Sequence, residues 1–143
     1  MQNIIGYGWY ITKRSWNVDP IPIVVRGYNR VIVGSLAFPV AIPNPRKSFR
    51  ALLYQTDNIT RTDTNEFALP DPENAAALHQ LFYRKQIDVY QDDVKHVAWI
   101  YLLTNEAARL MSITSFIDSV DKWAEFIEES GIGNIFPELL ESI

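Results

Sequence analysis

The chain has 143 residues, 48% of them hydrophobic, and a formal net charge of -4, which suits one domain with a single core rather than a disordered or multidomain chain. It contains no cysteine, so a disulfide framework, thiolate metal sites and thiol nucleophiles are excluded. No window approaches the roughly 18 apolar residues of a membrane span, and the first residues lack the basic start and long apolar run of a signal peptide. A cytoplasmic protein is expected, or one of the host cytoplasm or virion for a chain of phage origin.

Charge is unevenly spread along the chain. Up to Arg61 there are eight basic residues against two acidic, a balance of +6, and after it five basic against fifteen acidic, a balance of -10. A bipolar chain of this kind is suited to an anionic partner at its first part, or to copies of itself meeting head to tail.

Residues 4–12 are rich in Ile, Tyr and Trp and read as a strand, with Gly6 and Gly8 marking a bulge or a close backbone approach. Two β-branched runs, 23–26 and 31–36, flank Gly27-Tyr28-Asn29-Arg30 and read as a hairpin. Residues 38–45 carry Pro39, Pro43 and Pro45 beside Phe38. Proline removes a backbone donor, so this stretch reads as an extended arm rather than a central strand. A further strand is expected near 49–56, followed by a polar loop over 57–67.

Asp71 as N-cap, Pro72 at the first helical position and the spacing of Ala75, Leu78, Leu81 and Phe82 predict a helix over 72–86. Residues 87–90, a Gln91-Asp92-Asp93 turn and residues 94–103 read as a second hairpin. Its second strand is apolar on both faces from Val97 on: Ala98, Ile100 and Leu102 point one way, Trp99, Tyr101 and Leu103 the other. A short helix is expected over 106–112. A second main helix is expected over 116–130, capped by Thr114 or Ser115, with Phe116, Val120, Trp123, Ala124 and Ile127 on its buried face. Asp118, Asp121, Glu125, Glu128 and Glu129 lie opposite, and Gly131 ends it with a left-handed C-cap. In the tail, residues 135–143, Phe136, Leu139, Leu140 and Ile143 share one helical face. Nine residues are too few to be helical alone, so this tail needs a groove to lie in.

Residue types that carry chemistry are few. His79 and His96 are the two histidines, and Asp92 could share a strand face with His96, but a solvated turn explains them as well. Gly6-Tyr7-Gly8 lacks the third glycine and the following helix of a dinucleotide fingerprint, and Gly34-Ser35-Leu36 lacks the second glycine of a nucleophile elbow. Asn58-Ile59-Thr60 matches a glycosylation acceptor by chance. Tyr7, Trp9, Tyr10, Trp16 and Tyr28 interleave with Lys13, Arg14, Arg26 and Arg30, a mixture that could stack bases and neutralise phosphates, though strand core explains the rings better.

These observations lead to one α+β domain over residues 1–143: a mainly antiparallel sheet covered by two main helices, with a short C-terminal amphipathic helix. The expected function is that of a non-enzymatic structural or assembly subunit, such as a component of a phage or contractile-tail-like particle. Its contacts would come from the arm (Phe38, Pro39, Pro43, Pro45), the tail (Phe136, Leu139, Leu140, Ile143) and the acidic face (Asp118, Asp121, Glu125). A protein partner or a homo-oligomer is expected, with nucleic acid a less favoured partner through the basic aromatic part. No membrane partner, cofactor, metal or catalytic residue is expected. Two alternatives stand: an immunity or inhibitor protein that meets a basic toxin with the acidic face, and a small enzyme with a site assembled from residues distant in sequence.

Overall fold

In the computed structural model, the described residues are 2–8, 11, 18–33, 39–57, 82–103, 105, 109, 116, 117 and 119–141. The strands are β1 (Gln2–Gly6), β2 (Ile21–Val33), β3 (Pro39–Thr56), β4 (Phe82–Gln91), β5 (Val94–Leu103) and β6 (Phe116–Ile117). They follow the order β3-β1-β5-β4-β2-β6, and β2 also pairs with β3. That last pairing closes the first five strands into a barrel. Every pairing is antiparallel except β1 with β5, which run parallel with Ile4 opposite Trp99.

The expected α+β sheet under two main helices is therefore corrected to a closed five-stranded barrel, with one α-helix described from end to end, α1 (Val120–Ser130). Three local misreadings account for the difference. Gly27, at φ 84°, does not reverse the chain. It is an extra residue in one long β2, where the register with β3 jumps from Arg26↔Ser48 to Tyr28↔Pro43. The single inserted residue flips the alternation, so Tyr28 follows Val25 into the interior and Val31 and Val33 face outward.

The proline-rich stretch, over its described residues, is the first part of β3 rather than a free arm. Pro39 is buried opposite Ile32, Pro43 pairs with Tyr28, and Pro45 sits in the four-residue excursion that interrupts the ladder. β1 pairs with β3 only from Leu52 to Thr56, so these prolines meet a missing donor only at an interrupted or singly paired part of the strand, where it costs least.

Of the helix expected over 72–86, residues 82–86 belong to β4 and the rest lie outside the described residues. The expected 106–112 helix also lies outside them apart from Arg109, which is helical, as is Asn105 before it.

The barrel has two apolar layers. Inside it are Ile5, Tyr7, Val25, Phe49, Val89 and Ile100 with their neighbours. Outside it, Ile4, Leu52, Tyr54 and Tyr101 pack with Trp123 and Ile127 of α1 and with Leu139 of the tail. β5 contributes to both, with Ala98, Ile100 and Leu102 inside and Trp99, Tyr101 and Leu103 outside. A strand buried on both faces cannot show polar alternation, which is why its sequence is apolar throughout.

α1 is four residues shorter at its start than its periodicity suggests. Ser119 is the N-cap, its Oγ accepting from the Lys122 N–H at 3.3 Å, and Phe116 lies before it in β6, exposed. Gly131 ends the helix at φ 73°, with its N–H donating to the Glu128 carbonyl at 3.1 Å. Beyond it, two 3-10 turns, Ile132–Asn134 and Pro137–Leu140, replace the expected tail helix. No described helix is long and apolar enough to cross a membrane.

Candidate functional site

β1 ends at Gly6, short of the expected strand over 4–12, and the chain bends at Tyr7 and Gly8 toward a helical residue at Ile11. Because β1 runs parallel to β5, this turn sits at the barrel mouth reached by the C-terminal end of β5. Mouths of barrels are common places for small-molecule sites. What distinguishes this one is how firmly the turn is held.

Tyr7 points into the barrel and is buried, its ring edge-on to Phe49 with centroids 5.9 Å apart. Its hydroxyl donates to the Tyr101 carbonyl. Burial pushes this phenol well above its ordinary pKa, and a hydrogen bond from the Ala41 backbone partly offsets the rise. Tyr7 therefore stays protonated throughout the neutral range. It is a post and a donor, and it cannot serve as a general base.

Gly8 faces Pro39, the first residue of β3. A Cβ built at Gly8 would lie 3.2 Å from both Pro39 Cγ and the Pro39 carbonyl oxygen, a tight contact that the turn or Pro39 would have to relieve by a few tenths of an ångström. The close approach inferred from the glycine is real, and the partner is a proline far along the chain. At the other end of the turn, Ile11 donates its N–H to the Gly8 carbonyl at 3.0 Å, and its carbonyl accepts from the Tyr54 hydroxyl at 2.9 Å. Tyr7 belongs to the inner layer and Tyr54 to the outer one, so the turn is fastened in both.

The residues singled out in the sequence are distributed differently. Pro39 alone of the arm residues lies at the mouth; Pro43 and Pro45 are exposed along β3, and Phe38 lies outside the described residues. In the tail, Leu139 is fully buried in the chain's own outer layer, where its carbonyl accepts from Trp123 Nε1 at 3.4 Å. Phe136 packs partly against the same layer, Leu140 is exposed, and Ile143 lies outside the described residues. An ion pair of this region, Arg50 with Glu141 at 3.5 Å, is solvated enough to contribute little. On the acidic face, Asp121, Glu125, Glu128 and Glu129 are exposed, while Asp118 lies outside the described residues.

His96 sits at the end of the barrel away from the mouth. Its Nε2 is 3.2 Å from Gln91 Oε1, and Asp92 is an exposed turn residue at φ 51°. His79, Ser35, Asn58, Trp9, Tyr10, Lys13, Arg14 and Trp16 lie outside the described residues. Tyr7 and Tyr28 are interior residues that offer no face to a base. Arg26 lies 4.2 Å from the Tyr90 ring centroid and Arg30 4.8 Å from that of Trp123, so both guanidiniums are engaged with rings of the chain itself. Among the described residues no group of three or more His, Asp or Glu side chains could hold a metal ion.

No protein-family model matches this sequence, and no curated protein matches it. Solved structures do match its fold. A γ-glutamyl cyclotransferase superposes with a TM-score of 0.59 at 11% identity, over 99% of this chain and 87% of that one. Two Arabidopsis thaliana proteins solved in solution superpose with TM-scores of 0.55 and 0.57, at 13% and 18% identity. They cover 97% and 96% of this chain, and 90% and 81% of their own.

This likeness overturns the expectation of a non-enzymatic structural or virion subunit. The fold shared over nearly the whole chain is also that of a γ-glutamyl cyclotransferase. The smaller reading, a site assembled from residues distant in sequence, is better supported. The pairing of β1 with β5 brings Tyr7 to Tyr101, its pairing with β3 brings Ile11 to Tyr54, and Gly8 meets Pro39 across 31 residues of sequence. Tyr54 and Tyr101 drew no notice as site residues, although a tyrosine in a strand buried on both faces carries a hydroxyl that must find a partner.

Proposed function

We propose that the chain is a small enzyme that works at the barrel mouth beside the Tyr7-Gly8 turn, and that its substrates carry a γ-glutamyl group. The observation that carries this reading is the barrel likeness to a γ-glutamyl cyclotransferase over 99% of this chain. The turn is the second support. It is held by tyrosines of both layers and by the Gly8–Pro39 contact.

A γ-glutamyl group cyclises when its own α-amine attacks its γ-carbonyl. A five-membered lactam forms, the bond to the attached amine breaks, and a proton passes from the attacking to the leaving nitrogen. The step needs no redox partner. Its main obstacle is holding a short flexible chain in the folded geometry of ring closure, and a turn fastened from both layers of the barrel suits that task. The protonated Tyr7 contributes by fixing the turn rather than by moving protons.

Incubation with a panel of γ-glutamyl amino acids, followed by mass spectrometry for the lactam 5-oxoproline, is the test. Turnover is expected, with Gly8→Ala lowering kcat/KM by about ten-fold or more as the new Cβ pushes the turn off Pro39. Absence of lactam from every member of the panel would refute the reading.

A further inference from the structure

We propose that Tyr54 is a positioning residue for the mouth turn and that its hydroxyl, not its ring, carries the role. The proposal rests on the reading of this mouth as the reaction site, and it assigns Tyr54 a distinct role there. Tyr54 lies on β3 directly opposite Ile4 of β1, in the outer layer that α1 and Leu139 cover. From there its hydroxyl reaches the Ile11 carbonyl at 2.9 Å, across 43 residues of sequence.

Ile11 has both backbone groups committed, its N–H to Gly8 and its carbonyl to Tyr54, and it is 1% exposed. A carbonyl so deeply enclosed has little access to water if its donor is removed, so the backbone must shift to recover a partner. The shift falls on the Gly8–Ile11 limb, because the Tyr7 end stays tied to Tyr101. Tyr7 thus fixes where the turn begins, and Tyr54 fixes where it ends. Through Tyr54 the geometry of the mouth is referenced to the layer that also holds Trp123, Ile127 and Leu139.

The test is Tyr54→Phe, which keeps the ring and removes the oxygen, read by amide hydrogen exchange and by kinetics on a γ-glutamyl substrate. The Ile11 amide should exchange at least about ten-fold faster, while β4 and β5 amides keep their protection. The value of kcat/KM should fall by about 10- to 100-fold, the range expected for a displaced positioning element. Val89→Ala, an interior truncation toward the other end of the barrel, reports what lost stability alone does and should keep kcat/KM within about two-fold.

Unchanged Ile11 exchange in Tyr54→Phe overturns the proposal, as does a kcat/KM no lower than that of Val89→Ala. If wild type is inactive on every γ-glutamyl substrate, the reading of the reaction falls, and Ile11 exchange then judges Tyr54 by itself. If Tyr54→Phe does not fold, the wild-type Ile11 amide decides: protection equal to that of the β3 ladder supports the clamp, and free exchange removes it.

Discussion

Replacing Tyr7 with Phe should destabilise the protein at neutral pH and progressively less so in alkali. The substitution keeps the ring against Phe49 and removes an oxygen that donates to the Tyr101 carbonyl and accepts from the Ala41 backbone. Lost buried hydrogen bonds of this kind cost about 1–3 kcal/mol at pH 7. The pH dependence follows from the raised phenol pKa. Below about pH 10 both folded and unfolded Tyr7 hold the proton, so stability does not change with pH on its account. Above it the unfolded chain releases the proton while the buried phenol keeps it. The unfolded state then binds fewer protons, and wild type loses about 1.4 kcal/mol per pH unit that the Phe variant does not lose. A gap of about 2 kcal/mol at pH 7 should therefore close near pH 11.5. Urea denaturation of both proteins, followed by tryptophan fluorescence between about pH 7 and 11, measures the gap directly, because every other titrating group is common to both and cancels. A gap that stays constant across that range would show that the phenol is not held protonated in the barrel, and would remove Tyr7 as the inner fastening of the turn.

Leu139→Ala should cost about 2–5 kcal/mol, as for other fully buried leucines, lowering Tm by several degrees in thermal denaturation, because the tail closes the outer layer of its own barrel. A loss under about 0.5 kcal/mol would mean that Leu139 does not occupy that layer in solution. Gly131→Ala should cost about 1–2 kcal/mol through backbone conformation alone, since φ is 73° and nothing lies within 4 Å of the added Cβ. Gly131→Asn should lose less in the same melts, as Asn tolerates the left-handed region better.

The hairpin of β4 and β5 was legible in the sequence because its signals are local. A polar Asp92-Asp93 turn separates two runs, and the second run is apolar on both faces. The C-cap at Gly131 was legible for the same reason, since no residue with a Cβ sits comfortably at that φ. Closure of the barrel was not. It depends on β2 and β3 being long, and each carries an interruption that in isolation means something else: Gly27 looks like a reversal, and Pro43 and Pro45 look like an arm. The two interruptions face each other and form one bulge, which only the pairing reveals. Phe116 shares a helical face with Val120 and Trp123 in the sequence, yet the cap at Ser119 and the pairing with Val33 outweigh that periodicity. Of the candidate site, Gly8 announced a close approach, but its partner Pro39 was beyond local reading. Tyr54 announced nothing, because a strand pattern states that a side chain is buried and not which carbonyl its hydroxyl will find.

On the proposed reading, position in the barrel favours the mouth at the end of β1 over the hairpin carrying His96. The hairpin turn at Asp92 and Asp93 is exposed, so its polar groups are solvated and water screens any charge that would act on a reacting group. β1 lies between β3 and β5. It contributes Ile4 to the outer layer and Ile5 to the inner one, and the chain that leaves it is fastened once in each. A turn with those two fastenings cannot drift without breaking a buried hydrogen bond, at about 1–3 kcal/mol for each group left without a partner. On the proposed reading, holding such a turn still is the condition that ring closure of a flexible substrate would place on the site, since atoms misplaced by about 1 Å can cost 100-fold in rate. Tyr7 and Tyr54 meet that condition from opposite sides of one short strand.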